Sequence, residues 1–231
     1  MILLTLIQAA SAKDELSFKD WRNMAINSNF SGVVLVAAEN KVLFKEAFGL
    51  ANREKNIPFS EDTIFNVGSL TKQFTATAIL KLHECNKLSV NDPLSKVFDN
   101  VPDDKKKITV HPLLTHTAGF VATRGGGSSN LYDVVTRKEL IETALKSKLL
   151  SLPGEEYNYS NMGYNLLAIS IEKITADNYE KFYSEKLFKP AGLTETGYRL
   201  PKRAENRVAI NYGADQTAYQ RLFSIEAKSL P

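Results

Sequence analysis

Cysteine and histidine are scarce in this sequence, which contains one cysteine, Cys85, and three histidines among its 231 residues. A single cysteine cannot form an internal disulfide, so a disulfide-stapled scaffold is excluded. Cys85 lies among helix-forming residues without ligand partners at metal-binding spacing, and we expect a buried structural thiol there. The sequence accordingly predicts no metal and no cofactor.

Long hydrophobic runs are also absent, since no segment approaches the roughly 20 apolar residues that a membrane-spanning helix needs. Residues 1–12 combine a short apolar run with Ala10-Ser11-Ala12, the small-residue pattern that precedes a signal-peptidase cleavage site. They lack the basic residues that begin a complete signal peptide. We interpret residues 1–12 as a signal remnant, which predicts a periplasmic or secreted protein; an ordinary N-terminal helical turn is the alternative.

An excess of one charge sign is missing as well, because 29 basic and 26 acidic residues leave a net charge of only +3. No concentrated basic face is apparent, so nucleic acids are excluded as partners. The run 103–107 mixes both signs beside Pro102 and predicts a solvated turn. The glycine- and serine-rich stretch 124–130 lacks the Gly-Lys-Ser/Thr ending of a P-loop and predicts a surface loop.

The N-terminal third of the chain predicts a strand hairpin. Hydrophobic residues make up 43% of the sequence, enough for a substantial core. After a predicted helix over 18–26, β-branched and apolar residues fill 33–36 and 42–48, and Glu39-Asn40 separates them as a turn.

The following part of the chain predicts helices. Four apolar residues recur at helical spacing: Leu70, Phe74, Ala78 and Leu82. Similar patterns cover 140–149, 161–174 and 179–187. The fold class is therefore α+β: an antiparallel sheet flanked by helices, plus a mostly helical domain. We divide the chain into the remnant 1–12, the sheet part 13–66, the helical domain 67–190 and a connecting segment 191–231.

Serine followed three positions later by lysine occurs twice, as Ser69 with Lys72 and as Ser170 with Lys173. Ser170 lies inside a periodic helix, where its hydroxyl would bond the preceding turn. Ser69 follows Gly68 at a predicted helix start, where free backbone amides favour a developing negative charge and residue i+3 returns to the same face. Only the Ser69 copy is therefore predicted to be placed for catalysis.

A second polar group precedes another predicted helix, in Tyr159-Ser160-Asn161. The phenol of Tyr159 could transfer protons above the site. The amide of Asn161 could contact a substrate carbonyl or orient the lysine.

Three motifs in order carry a family resemblance: Gly68-Ser69-Leu70-Thr71-Lys72, then Leu114-Thr115-His116-Thr117-Ala118-Gly119, then Pro153-Gly154 with Tyr159-Ser160-Asn161. The chain resembles the serine beta-lactamase and penicillin-binding protein family, on the branch of class C beta-lactamases, D-Ala-D-Ala carboxypeptidases and related esterases. The resemblance implies a beta-lactamase/transpeptidase-like fold.

By that resemblance, Ser69 is the acylated nucleophile, with its own backbone amide as half of an oxyanion hole. Lys72 is its proton-accepting partner, Tyr159 the second acid/base group and Asn161 a substrate-binding residue. His116 is structural. The implied substrate is a small molecule, namely a beta-lactam or carboxylic ester, or a D-Ala-D-Ala peptide of peptidoglycan.

The sequence departs from the family pattern near its end. Lys-Thr-Gly or His-x-Gly, the family's third site element, does not occur, and Glu195-Thr196-Gly197 begins with the wrong residue. A lone hairpin is marginal in water. We therefore expect a chain truncated at its C-terminus, without the later sheet strands and with little or no turnover.

Two alternatives to a hydrolase of this family remain. The missing element favours a non-catalytic penicillin-binding or sensor-type homologue, or an inactive fragment. A Ser-His-Asp hydrolase is disfavoured, because no Gly-x-Ser-x-Gly elbow occurs. The sequence leaves the oligomeric state open.

Overall fold

The computed structural model describes residues 17–122, 135–198, 207–212 and 218–219. The α-helices in these ranges are α1 (Phe18–Asn27), α2 (Lys72–Glu84), α3 (Val110–Leu114), α4 (Arg137–Lys146), α5 (Asn161–Thr175) and α6 (Tyr179–Tyr183). The strands are β1 (Gly32–Ala38), β2 (Lys41–Phe48), β3 (Leu50–Asn52), β4 (Ile57–Pro58), β5 (Asn211–Tyr212) and β6 (Ala218–Tyr219). Short 3₁₀ turns cover Gly68–Thr71 and Leu94–Lys96, and a π-helical turn covers Ser184–Phe188.

The chain divides into two compact units. The first contains Met1–Val67 with Arg199–Pro231, and the second is Gly68–Tyr198. All described strands belong to the first unit, and every described helix except α1 belongs to the second. The predicted α+β architecture, with antiparallel strands and a separate helical block, is confirmed.

The first unit contains the predicted hairpin. β1 and β2 pair antiparallel from Gly32 opposite Phe48 to Ala38 opposite Lys41, with an irregularity after Val36. Glu39 and Asn40 connect them with positive φ angles of 50° and 61°, as a two-residue turn with the twist of a hairpin requires. Within the same unit, the C-terminal segment pairs with the chain before α2, because Val208 forms a parallel bridge with Ile64.

The second unit has one hydrophobic core, to which α2, α3, α4 and α5 each contribute. Its most deeply buried side chains are Phe98, Phe120, Ile79, Leu82, Leu94, Ile108, Leu113, Met162, Leu166, Leu167, Ile171 and Val110. Leu82 on α2 is one of the residues that the four-residue spacing indicated. Packing of α2 against α5 matters most for the site, since the first turns of these two helices and the residues just before them carry its side chains.

One prediction, that of a buried Cys85, is wrong, and another, that of a solvated turn over 103–107, holds except at one residue. Cys85 is exposed, because it caps the end of α2 and the chain then reverses through Asn86, whose φ is +55°, so that Leu88 becomes buried instead. Lys105 belongs to the predicted solvated turn but is only 2% exposed. Its whole side chain is buried, and its ammonium group donates to the exposed Asp104 carboxylate at 2.7 Å.

Some predictions stay untested. Residues 1–12 and 124–130 lie outside the described residues, so the signal remnant and the surface loop remain predictions. None of the helices in the described ranges is both long enough and apolar enough to cross a membrane.

Candidate active site

Ser69 lies in the 3₁₀ turn that leads directly into α2. The turn begins at Gly68, whose φ of +54° lies in the left-handed region that favours glycine. Ser69 itself is exposed. A helix start therefore presents a serine hydroxyl to solvent, as the sequence predicted.

Lys72, the first residue of α2, lies one turn after Ser69. Its Nζ donates a hydrogen bond of 2.7 Å to Asn161 Oδ1 and a longer one of 3.4 Å to Ser69 Oγ. Because hydrogen bonds weaken as they lengthen, Asn161 is the stronger partner. The amide of Asn161 thus holds the ammonium group beside the serine.

Tyr159 approaches Ser69 from a segment 90 positions away, and its phenol donates a hydrogen bond of 2.8 Å to Ser69 Oγ. The position of this segment is fixed by Ser160, the N-cap of α5. Ser160 Oγ accepts the amide of Gly163 at 3.1 Å and donates to the carbonyl of Val121 at 2.8 Å. A capped helix start therefore orients the tyrosine immediately before it.

Charge and burial act in opposite directions on Tyr159. Partial burial alone would raise the pKa of its phenol, but interactions with Lys72 and Ser69 outweigh that effect and lower the pKa below the ordinary value for tyrosine. The Lys72 Nζ lies 4.8 Å from the centre of the Tyr159 ring. The Tyr159 phenol therefore ionises at a lower pH than an ordinary tyrosine.

Tyr164 is a second phenol beside Lys72, with its ring centre 5.5 Å from the Nζ atom. Burial raises the pKa of its phenol, and the neighbouring Tyr159 and Tyr157 raise it further. Its hydroxyl donates to the carbonyl of Leu114 at 3.0 Å. Tyr164 therefore lies beside Lys72 as a neutral phenol whose hydroxyl is bonded to a backbone carbonyl.

His116 lies behind Tyr159. Its Nδ1 accepts the backbone amide of Ser160 at 3.1 Å, and its ring centre lies 4.6 Å from that of Tyr159 and 4.9 Å from that of Tyr164. Burial and the charge of Lys72 lower the pKa of its imidazole.

The structure brings together the four residues that the sequence singled out, Ser69, Lys72, Tyr159 and Asn161. Their catalytic roles remain predictions. Sequence reasoning assigned no role to Tyr164, although its position three residues after Asn161 on the same helix face was a usable signal.

The second Ser-x-x-Lys copy has no part in this site. Ser170 is buried, and its hydroxyl donates to the carbonyl of Leu166 at 2.8 Å, as expected for a serine inside a helix. Within the described ranges, no three His, Cys, Asp or Glu side chains converge as a metal site.

Known proteins are similar to this chain in sequence and in fold. Residues 22–223 match the beta-lactamase family. PbpX of Bacillus subtilis (strain 168) is 30% identical over 209 residues, which are 88% of this chain and 51% of PbpX. The crystal structure of a penicillin-binding protein from Bacillus halodurans is similar with a TM-score of 0.71 and 28% identity, over 85% of this chain and 63% of that one. A class C beta-lactamase structure gives a TM-score of 0.77 at 23% identity, over 89% of this chain and 56% of that one.

The chain belongs to the beta-lactamase family, because the family match covers most of its length. The predicted resemblance is confirmed, and so is the beta-lactamase/transpeptidase-like fold. The chain spans about half the length of PbpX.

Proposed function

We propose that this protein is a serine hydrolase that forms an acyl-enzyme at Ser69 with a beta-lactam, a D-Ala-D-Ala peptide or a carboxylic ester. One observation carries the proposal: Ser69 Oγ accepts hydrogen bonds from the Tyr159 phenol at 2.8 Å and from the Lys72 ammonium at 3.4 Å. A nucleophile in contact with an acid/base group, which is itself oriented by a third group, is the arrangement that covalent catalysis needs.

Tyr159 is the proposed proton acceptor, in place of Lys72, to which the family resemblance gave that role, because the Lys72 ammonium group donates to both Asn161 and Ser69. The lowered pKa of its phenol increases the fraction present as phenolate, and the nearby Lys72 cation stabilises that charge. A phenolate reverses the hydrogen bond, so that the Ser69 hydroxyl donates to Tyr159. Oγ then attacks the acyl carbon while its proton passes to Tyr159, which returns it to the leaving group.

The Ser69 backbone amide is the proposed donor to the oxyanion. It lies at the start of a helical turn, where N–H groups have no acceptor within the helix. Asn161 is proposed to have two tasks, because its Oδ1 holds Lys72 while its amide nitrogen is available to a substrate carbonyl. Hydrolysis of the acyl-enzyme would use the same phenol to activate water.

A second candidate is a penicillin-binding or sensor-type protein in which the acyl group persists. Relatives named as penicillin-binding proteins favour this candidate, among them the one from Bacillus halodurans, to which the chain is 28% identical. Both candidates share acylation of Ser69 and differ only in the fate of the acyl group.

A time course of intact mass separates these candidates. The 231-residue chain is mixed with fluorescent penicillin or with a fluorophosphonate, and a peptide digest locates the adduct. A penicilloyl adduct on Ser69 that forms and then decays supports a hydrolase, while one that forms and persists supports the binding protein. Absence of any adduct from folded protein contradicts both. Nitrocefin and p-nitrophenyl ester turnover then distinguish lactams from esters.

A further inference from the structure

His116 stands out among the side chains that the proposed mechanism does not use. It follows α3 in the left-handed region, with a φ of +59°, which is uncommon for a residue other than glycine. Its ring lies between those of Tyr159 and Tyr164, both tilted by 33° to it. The edge of a third ring, that of Tyr157, contacts it at 5.9 Å between centres.

Two hydrogen bonds connect His116 to the residues on either side of Tyr159. The backbone amide of Asn158 donates to the backbone carbonyl of His116 at 2.7 Å. The amide of Ser160 donates to His116 Nδ1 at 3.1 Å. These two hydrogen bonds and the contact between the rings of His116 and Tyr159 hold the segment 158–160 at three points, and Tyr159 lies at its centre.

The bond from Ser160 fixes the protonation of the ring. An imidazole nitrogen that accepts a hydrogen bond carries no proton, so the neutral ring must carry its proton on Nε2. If the ring becomes an imidazolium, Nδ1 also carries a proton and can no longer accept the Ser160 amide. The N-terminus of α5 then loses one of the contacts that place Tyr159.

We propose that His116 is a positioning residue that holds Tyr159 against Ser69, and that it does so only as the neutral imidazole with its proton on Nε2. This inference rests on the proposed function for its effect on acylation, but its structural part does not. Protonation of His116 at acid pH is the event that releases Tyr159.

The groups that face His116 oppose its protonation on balance. Lys72 approaches from α2, Tyr157 and Tyr159 from the segment before α5, and Tyr164 from α5 itself. The tyrosine faces would attract an imidazolium. Burial and the Lys72 charge hold the pKa of His116 below its ordinary value, so the ring is neutral near pH 7.

The kinetic test measures the labelling rate of Ser69 by a fluorophosphonate between about pH 4.5 and 8. If Tyr159 must be ionised, the logarithm of the rate falls with a slope of about one as pH decreases. Below the pKa of His116, the second protonation increases that slope to about two. His116→Asn retains an oxygen acceptor, tolerates the positive φ and does not titrate, so we expect its slope to remain about one throughout.

Two further variants control the result. His116→Ala removes the acceptor and should slow labelling at pH 7.5 by on the order of tenfold or more, because a small displacement of an acid/base group lowers the rate strongly. His111→Asn changes an exposed histidine of α3 and should retain the profile of the unsubstituted chain. If the slope for His116→Asn also increases to about two at low pH, as in the unsubstituted chain, the proposal is overturned. Absence of labelling in every variant overturns the proposed function instead.

A structural measurement tests the inference without activity. Long-range ¹H–¹⁵N spectra of the full chain report the tautomer of each of its three histidines, and His116→Asn assigns the relevant signals. We expect a neutral ring with its proton on Nε2 and a titration midpoint below that of an ordinary histidine. A ring protonated on Nδ1, or a midpoint at or above that of an ordinary histidine, about 6.5, contradicts the proposal even if Ser69 is labelled.

Discussion

The Ser-x-x-Lys spacing occurs twice in the helical unit, and the two copies differ in their position along a helix. Ser69 lies in the turn ahead of α2 and is exposed, whereas Ser170 lies inside α5 and is 1% exposed. The Ser69 hydroxyl accepts from Tyr159, whereas the Ser170 hydroxyl donates to its own helix backbone at Leu166. The same spacing therefore gives an exposed hydroxyl that contacts a tyrosine in one place and a buried hydroxyl bonded to its own helix in the other.

The two lysines differ in the same way. Lys72 is held by the amide of Asn161 at 2.7 Å and lies near two tyrosine rings. Lys173 reaches the exposed Asp99 carboxylate at 3.8 Å, a contact of the kind that contributes little to stability. The surroundings of each lysine, and not its distance along the sequence from serine, define the candidate site.

The largest effect that separates the two copies is expected from the serines. Ser69→Ala removes the nucleophile, so fluorophosphonate labelling should fall by at least about a thousandfold. Ser170→Ala removes a hydroxyl that only bonds the helix backbone and should label at the original rate. Mass spectrometry of the labelled peptide provides the measurement, and labelling that survives in Ser69→Ala would refute the assignment.

The lysines should show the next largest difference. Lys72→Met retains the shape of the stem but removes the contacts with Ser69 and Asn161 as well as the charge that lowers the pKa of Tyr159. We expect labelling to slow by about a thousandfold. Lys173→Met provides the matched control and should change the rate less than about twofold, which is within ordinary surface variation. Equal effects of both variants would remove the distinction between the copies.

A tyrosine pair tests whether the phenol beside Ser69 is the proton acceptor. Tyr159→Phe should slow labelling by about a hundredfold. In the unsubstituted chain, the rate should rise with pH as Tyr159 ionises and level off below the ordinary tyrosine pKa of about 10, because its pKa is lowered. In Tyr159→Phe, the rate should no longer rise with pH in this range.

Tyr164→Phe is the matched control for that pair, because the Tyr164 phenol is directed to the Leu114 carbonyl and its pKa is raised. It should retain both the rate and the pH profile within about threefold. If Tyr164→Phe lost the rise of the labelling rate with pH and Tyr159→Phe retained it, Tyr164 and not Tyr159 would be the proton acceptor.

Local patterns predicted much of the fold and of the site. The turn at Glu39-Asn40 and the helix starts before Ser69 and Asn161 depend on residues close in sequence, and the structure contains all of them. The motifs also identified the site members, although Lys72 and Asn161 are separated by 89 positions.

Features set by tertiary contacts were missed. The exposure of Cys85 depends on where the chain reverses after α2, and the burial of Lys105 depends on the core beneath its turn. The contacts of His116 with residues 158–160 join distant parts of the chain, since Ser160 is 44 positions away from the histidine. Periodicity and spacing carry no information on such contacts.

The smallest expected effect concerns the glycine that precedes Ser69. Gly68 has a φ of +54°, so Gly68→Ala should destabilise the protein by about 1–2 kcal/mol. It should also slow Ser69 labelling a few-fold, since relief of the strain would shift the hydroxyl away from Tyr159.

Gly163→Ala is the matched control for the backbone effect, because Gly163 lies within α5 and an added Cβ would meet Leu113 Cδ2 at 3.5 Å, an ordinary contact. Alanine is favoured over glycine inside helices by about 0.5–1 kcal/mol, so this variant should be at least as stable as the original chain. Urea unfolding midpoints compare the two. If Gly68→Ala proved as stable as Gly163→Ala, the left-handed conformation of Gly68 would not be required to place Ser69. The two Ser-x-x-Lys copies would then differ only in the residues that their serines and lysines contact.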